Sequence, residues 1–266
     1  PGLCYINYFN YTNYDSFRDN SGDKVDDFHA QAVVNAFRFV YVSKKKLLGA
    51  DVIGHAVVPF VNIHGTLEFP GGPRLTGTKT GLGDVTINPF SLAWHWKNFH
   101  CVAGVDFNLP TGSYSKDDFV NPGRHYWNFE PLFGFTYLSD RGLEASAKIM
   151  YNFNTVNSAT HYTSGQELGV DYLLGLHCGP WAYGINGYYY LQTTDDKYRG
   201  HKVKNYFPNW QGDGRDGYGK GRQLSIGPAI QYNYKNMFFN VKYQWDTNVK
   251  NKPEGSHLWL KFMYAF

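Results

Sequence analysis

The sequence has no hydrophobic run long enough to form a membrane-spanning helix. Its longest unbroken apolar stretches cover six or seven residues, as at 56–61, whereas a spanning helix needs about 18 or more. Charge is also scarce, because Asp, Glu, Lys and Arg make up 18% of the 266 residues, against roughly 25% in an ordinary soluble domain. The sequence therefore excludes a helical membrane protein, a coiled coil and an intrinsically disordered chain.

The chain also has few cysteines, a small net charge and no linker sequence. Cys4, Cys101 and Cys178 are too few and too widely spaced for a disulfide framework or a zinc site, and pairing among them stays open. The formal net charge of +3 is too small to indicate a nucleic-acid partner. The chain opens at Pro1 without a recognisable signal peptide, which does not argue for the cytoplasm. Since no linker divides it, we expect a single domain over residues 1–266.

What the chain does contain is aromatic residues, glycine and a period of two. Aromatic residues make up 18% of the chain, and mean hydropathy is nevertheless −0.46. At the C-terminus, alternate positions are all apolar or aromatic: Leu258, Leu260, Phe262, Tyr264 and Phe266. The same alternation recurs over 238–248, 223–234, 181–192, 167–176 and 143–154, and one face of all six segments carries no charge. This pattern is typical of β-strands with one lipid-facing side.

The first half of the chain is less regular. Residues 99–109 and 126–138 alternate, while 83–96 changes parity, which predicts a β-bulge near Phe90 because one extra residue reverses the alternation. Residues 2–14, 28–42 and 50–64 also indicate strands, without a definite facing. We therefore predict 12 strands.

Short and long connections alternate between these strands. Residues 43–49, 97–98, 139–142, 177–180 and 235–237 read as short turns, and 18–25, 65–80, 110–124, 155–164, 195–220 and 249–256 as longer loops. We predict an all-β fold, a closed antiparallel transmembrane β-barrel of the bacterial outer membrane, with short periplasmic turns, longer extracellular loops and both termini on the periplasmic side. Closure is required because an open sheet would leave unpaired backbone groups in hydrocarbon. The soluble alternative is a β-sandwich or a lipocalin-like barrel with the apolar face turned inward.

Several short motifs resemble a known family. Gly81-Leu82-Gly83-Asp84 is followed by Pro89, and then come Leu109-Pro110-Thr111-Gly112-Ser113-Tyr114, Tyr151-Asn152-Phe153-Asn154 and Tyr162-Thr163-Ser164-Gly165-Gln166-Glu167. In this order they resemble the outer-membrane channel family labelled "meta-pathway of phenol degradation". The resemblance extends from about residue 28 to the end. It implies a monomeric 12-stranded channel of Gram-negative bacteria, in a family often associated with the breakdown of aromatic or hydrophobic compounds.

The polar faces supply candidate lumen residues. We expect nine charged side chains to line an aqueous path and set its charge selectivity: Asp84, Asp106, Glu130, Glu144, Lys148, Glu167, Asp171, Lys242 and Lys261. The alternative is a network of ion pairs that only stiffens the interior. The acids gather on strands within 99–176 and the bases on the last strands, with Arg38 as a further candidate base. Such a separation predicts a transverse field.

Aromatic residues also fall on the inward faces. Tyr126, Tyr188, Tyr190 and Trp259 are expected in the lumen, where they would form a site for a hydrophobic or aromatic solute, or simply fill a small barrel. The longest predicted loop, 195–220, carries Tyr198, Tyr206, Phe207 and Trp210, and is a candidate gate or an ordinary surface loop.

These observations favour an outer-membrane channel for passive diffusion of small hydrophobic or aromatic molecules into the periplasm. The expected partners are the lipid bilayer and such solutes, without nucleic acid, and the expected state is a monomer. No catalytic residues, metal site or cofactor are predicted, since the ten histidines include no pair at i, i+2 on one strand face. Two alternatives stay open: a structural or adhesin-like barrel with an occluded lumen, and an outer-membrane barrel enzyme.

Overall fold

A computed structural model describes residues 1–25, 28–68, 74–203 and 220–266. Twelve long strands dominate this part of the chain. They are β1 (Gly2–Arg18), β2 (Phe28–Leu47), β3 (Ala50–Glu68), β4 (Thr86–His95), β5 (Phe99–Asn108), β6 (Asn128–Leu138), β7 (Leu143–Asn154), β8 (Glu167–Cys178), β9 (Trp181–Gln192), β10 (Arg222–Tyr234), β11 (Met237–Lys250) and β12 (Lys252–Ala265).

The twelve strands close into an antiparallel barrel. Each strand pairs with its neighbours in sequence, and β12 returns to pair with β1 from Cys4↔Ala265 to Arg18↔Lys252. The sheet therefore has no open edge, so its backbone groups are paired around the whole circumference. Both termini lie at the end of the barrel that carries the short turns. The predicted closed 12-stranded fold is confirmed.

The side chains alternate between the outer surface and the interior of the barrel, as the period of two predicts. On β10, Ile226 and Ile230 are exposed, whereas the adjacent Ser225 and Ala229 are buried. Leu174, Ile185, Val241 and Leu260 on other strands are also exposed although apolar. Burial is therefore inverted relative to a soluble protein, because polar side chains such as Asn186 and Ser225 are the fully buried ones. An apolar exterior around a polar interior is the arrangement of a membrane barrel.

The structure also fixes the facing of the first three strands. On β1, Ile6, Asn10 and Thr12 point inward and are buried. On β2 and β3, Phe39 and Phe60 are exposed on the outside. The whole outer surface thus carries aromatic and aliphatic side chains, including strands whose parity the sequence left undefined.

The bulge predicted near Phe90 is confirmed. The β4–β5 register shifts between Ile87 and Ser91, and Pro89 and Phe90 are consecutive exposed residues. Beyond the bulge, Ser91 and Ala93 are buried in the interior. The extra residue therefore keeps both halves of this strand apolar outside and polar or small inside.

Two predicted loops are wrong. Residues 249–256 are almost entirely strand, because only Asn251 separates β11 from β12. Asn248 and Asn251 adopt positive φ values of 51° and 52°, which asparagine tolerates. Residues 65–80 contain the end of β3 and an additional strand, Arg74–Leu82, that pairs with it. Both segments are polar because they lie in the long-loop half, where a strand no longer needs an apolar face.

Smaller elements complete the long-loop end. Lys24–Val25 pairs with β1, while Tyr162–Thr163, Lys197–Tyr198 and His201–Lys202 form a separate three-stranded sheet. Cys4, Cys101 and Cys178 are all free. The described residues include no helix, and hence none that is long and apolar enough to cross a membrane.

Candidate functional site

The interior of the barrel contains a cavity of about 750 Å³ in the half that carries the short turns. His95 and His100, next to the turn between β4 and β5, line its outer end, and Lys148, Tyr188 and Gln244 line its inner end. A smaller space of about 170 Å³ adjoins it beside Leu173, Lys242 and Lys261. The cavity therefore extends from the middle of the barrel to the short-turn end.

A layer of hydrogen-bonded polar side chains lies directly beyond the cavity, towards the long loops. We call Tyr14, Tyr188, Ser225, Asp246 and His257 the polar layer. The Asp246 carboxylate, fully buried, accepts hydrogen bonds from Ser225 Oγ at 2.9 Å and Tyr188 OH at 3.2 Å, and His257 Nε2 lies 3.0 Å away. The rings of Tyr14 and Tyr188 pack edge-on against the His257 imidazole. The polar layer therefore borders the inner end of the cavity on the side formed by β9–β12 and β1.

We predict that Asp246→Asn destabilises the folded barrel. Both carboxylate oxygens of Asp246 accept hydrogen bonds, from Ser225 Oγ and from the Gly255 backbone N–H. In asparagine one of these oxygens becomes an NH2 group, which cannot accept, so at least one buried donor loses its partner at a cost of about 1–3 kcal/mol. Urea unfolding of the protein in lipid vesicles measures this difference. The matched control is Asp171→Asn, because the Asp171 carboxylate accepts no hydrogen bond from the described residues. Equal losses for the two variants would contradict this account of the polar layer.

A second network occupies the β3–β7 wall. Asp106 accepts a hydrogen bond from Asn88 Nδ2 at 2.6 Å, and His55 Nε2 lies 3.4 Å from the same carboxylate. Lys148 Nζ lies 3.5 Å from Glu130 and 3.9 Å from Asp106. The predicted charged residues of this wall therefore have partners within it, with Asp106 and Glu130 sharing Lys148, which also lines the cavity.

Other predicted lumen residues lie nearer the two ends of the barrel. Towards the long loops, Glu167 accepts a hydrogen bond from Tyr190 OH at 2.8 Å, and Lys252 Nζ lies 3.7 Å from the centre of the Tyr190 ring. At the short-turn end, Glu144 lies 2.6 Å from His177 Nε2 and accepts a hydrogen bond from Ser146. Both carboxylates therefore contact polar side chains of the barrel wall.

Asp84 is placed differently from the other predicted acids. It precedes β4, and its carboxylate accepts backbone hydrogen bonds from Gly112 at 2.9 Å and Arg124 at 2.8 Å. It thereby holds the segment 109–127 over the long-loop end. Gly112 and Gly123 touch there, since a Cβ on Gly112 would lie 2.5 Å from Gly123 Cα. Tyr126 is half-buried at the end of this segment, just before β6.

Basic side chains on the opposite wall have no such partners. Lys242 on β11, Lys261 on β12 and Arg38 on β2 all line the cavity together with Trp259. Within the described ranges, no carboxylate oxygen lies within 4.0 Å of the Lys242 or Lys261 ammonium. In a closed ring of twelve strands, β11–β2 lie opposite β5–β8, which carry Asp106, Glu130, Glu144, Glu167 and Asp171. The lumen therefore has a basic wall facing an acidic one.

The predicted lumen residues leave out three interior residues. His257 lies between the predicted loop 249–256 and the predicted strand from Leu258, because the polar run hid the start of β12. Asp246 shares the parity of Lys242 and Gln244, so the alternation of β11 already indicates its inward position. Asn88 lies beside the bulge, where parity alone is ambiguous. Of the predicted loop aromatics, Tyr198 is exposed, whereas Tyr206, Phe207 and Trp210 lie outside the described residues.

Comparison with known proteins identifies the family. The family model described as "Putative MetA-pathway of phenol degradation" matches residues 14–262. The chain belongs to this family. None of the curated proteins compared with it matches the chain.

Solved structures show the same fold. An outer membrane channel from Pseudomonas putida F1 is similar at 17% identity and a TM-score of 0.82, over 100% of this chain and 96% of the other. The β-domain of the Bordetella autotransporter BrkA shares 10% identity with a TM-score of 0.54, over 100% and 99% of the two chains. The transport unit of the Escherichia coli autotransporter AIDA-I shares 9% identity with a TM-score of 0.53, over 100% and 90%. Family, closed barrel and apolar exterior together make this protein a bacterial outer-membrane β-barrel.

Proposed function

We propose that this protein is an outer-membrane channel through which small hydrophobic or aromatic molecules diffuse passively into the periplasm. The observation that carries this proposal is the cavity of about 750 Å³ inside the closed barrel. Its volume falls within the range of about 300–1,000 Å³ that is typical of small-molecule sites. The phenol-degradation description of the family agrees with this class of solute.

The chemistry of the cavity wall also supports such solutes. Ile6, Leu132, Leu173 and Trp259 supply apolar surface, while Tyr8 and Ser91 supply hydroxyl groups in the same space. An aromatic ring can pack against the first group while a polar substituent bonds to the second. Selection then depends on width, polarity and charge, and no covalent step or cofactor is needed.

Passage also requires the polar layer to separate. Its side chains contact one another and narrow the lumen at that level in this proposal. Rotation of the Tyr14 and Tyr188 side chains would widen the path. We infer that the channel opens transiently as a monomer.

The polar layer also favours a second candidate, a structural barrel with an occluded lumen. An enzyme is less well supported. Thr12 Oγ1 lies 2.8 Å from His257 Nδ1, and His257 contacts Asp246, but Thr12 and His257 are both buried, so a substrate cannot reach the hydroxyl in this state. The occluded barrel predicts no solute flux at all.

Solute uptake by reconstituted vesicles tests the proposal. Phenyl β-glucoside and methyl β-glucoside differ by an aromatic ring, and the sugar keeps both from crossing lipid rapidly on their own. We expect osmotic swelling to show faster entry of the phenyl compound although it is larger. Entry no faster than into protein-free vesicles would refute the channel, and faster entry of the methyl compound would refute the solute class.

A further inference from the structure

The basic wall of the cavity carries ammonium groups that form no ion pair with the described residues. Lys242 and Lys261 are diagonal neighbours on β11 and β12, because Lys242 pairs with Trp259 and Lys261 with Asn240. Their positive charges repel each other, and Lys261 is also repelled by Arg38, while Glu144 attracts both lysines and Asp171 attracts Lys242 from beyond ion-pair distance. Unpaired cations at membrane depth are costly and mark functional sites.

Arg38 points to the same conclusion from its hydrogen bonds. Its two terminal nitrogens lie 3.1 Å from His55 Nδ1 and 3.4 Å from Tyr8 OH. Its Nε is buried and has no hydrogen-bond partner. Arg38 thus lines the cavity without a carboxylate partner among the described residues, and carboxylates are well matched to the planar geometry of its guanidinium.

The acids of the lumen do not supply that acceptor. Asp106, Glu130, Glu144 and Glu167 are bonded within their own wall, as described above. Asp171 is the exception, since it lines the cavity and lies in the field of Lys148 and Lys242, yet beyond 4.0 Å from either. Among the cations of the cavity lining, Lys148 is thus paired with Glu130, whereas no carboxylate oxygen of the described residues lies within 4.0 Å of Arg38, Lys242 or Lys261.

Apolar surface lies beside these cations. Trp259 occupies the inward position next to Lys261 on β12, opposite Lys242 on β11. Leu173 lines both the main cavity and the smaller adjoining space, as Lys242 and Lys261 do. The same site thus presents positive charge and an apolar face for an aromatic or aliphatic body.

We propose that the cavity is a binding site for small organic anions with an apolar body, such as aromatic carboxylates. The carboxylate lies among Arg38, Lys242 and Lys261, and the ring packs against Trp259 and Leu173. This inference rests on the proposed channel function and specifies the charge of its solute. The anion supplies the acceptor that the basic wall lacks, while neutral aromatics gain only the apolar contact.

Titration calorimetry of the purified protein in detergent tests this site. The probes are benzoate, benzyl alcohol, which has the ring without the charge, and acetate, which has the charge without the ring. Charge-assisted hydrogen bonds lead us to expect benzoate to bind about tenfold more tightly than either of the others. Benzyl alcohol or acetate binding as tightly as benzoate, or benzoate failing to bind, would overturn the inference.

Variants assign the effect to named residues. Lys242→Gln with Lys261→Gln should abolish the preference for benzoate over benzyl alcohol, and Lys242→Arg with Lys261→Arg should retain it. Lys97→Gln is the matched control, because that lysine is exposed on a turn and pairs with Asp140. An unchanged preference in the glutamine variant would overturn the site.

The comparison of probes uses the unmodified protein, so its result stands even if a variant does not fold. Glucoside uptake without anion preference would refute this inference alone, whereas absent uptake would refute the channel.

Discussion

Leu174→Arg will destabilise the barrel by about 2–4 kcal/mol, the cost of an arginine on the lipid face near the middle of a membrane. Leu174 lies in the middle third of β8, and 62% of its surface is exposed on the outside of the barrel. The guanidinium of the introduced arginine would have to enter hydrocarbon or reach the headgroups along the barrel surface. Equilibrium unfolding in vesicles, or the mobility shift of heat-treated protein in electrophoresis, measures the loss.

The neighbouring residue on the same strand provides the control. Leu173 points into the cavity, where an arginine can stay hydrated, so Leu173→Arg should cost much less than Leu174→Arg. The two substitutions are chemically identical and differ only in the face of the strand that carries them. A larger loss for Leu173→Arg would mean that the inside and outside of the barrel have been exchanged.

The double variant Tyr14→Ala, Tyr188→Ala will raise ion conductance several-fold. Both rings pack against His257 in the polar layer, and their removal widens the level that we propose as the constriction. Because ion flow through a narrow pore depends on its tightest point, a wider polar layer should have a larger effect than any change in the cavity below it. Current recording across planar bilayers measures the change.

Tyr188→Phe separates the size of the ring from its hydrogen bond. Phenylalanine keeps the bulk but loses the bond to Asp246 at 3.2 Å. We expect its conductance to resemble that of the unmodified protein. If the phenylalanine variant conducts as well as the double alanine variant, the hydrogen bond rather than the ring holds the layer closed. If neither variant conducts more than the unmodified protein, the constriction lies elsewhere.

Much of the fold was predictable because the membrane imposes a simple rule on each strand. From β7 to β12, an uncharged face repeats every second residue, and the structure places that face outside. Phe90 shows that even an irregularity could be located, since the bulge changes the parity at a definite position. The same rule gave inward positions to Lys148, Asp171, Lys242 and Trp259, all of which line the cavity.

The rule fails where strands leave the membrane. Residues 65–80 and 249–256 are polar on both faces, so nothing in their composition distinguishes a strand from a loop. Their pairing depends on long-range partners, such as Thr66 with Thr76 and Arg18 with Lys252. Sequence periodicity contains no information about these contacts, and the inward position of His257 was lost for this reason.

The sequence alone also could not show which groups the charged side chains contact. Asp84 and Asp171 read alike as inward acids, yet one holds the backbone of 109–127 and the other lines the cavity. The difference arises from how neighbouring strands and loops meet. The opposition of the basic and acidic walls likewise depends on closure, because only in a ring do β11–β2 stand opposite β5–β8.

The facing of adjacent residues on β12 provides the most direct test of the whole account. In a protein whose three native cysteines are replaced by serine, Trp259→Cys and Leu260→Cys place a thiol on opposite faces of one strand. After reconstitution into vesicles, a water-soluble thiol reagent should modify position 259, and a membrane-soluble maleimide should modify position 260. Preferential labelling of position 260 by the water-soluble reagent would show that the apolar face does not contact lipid.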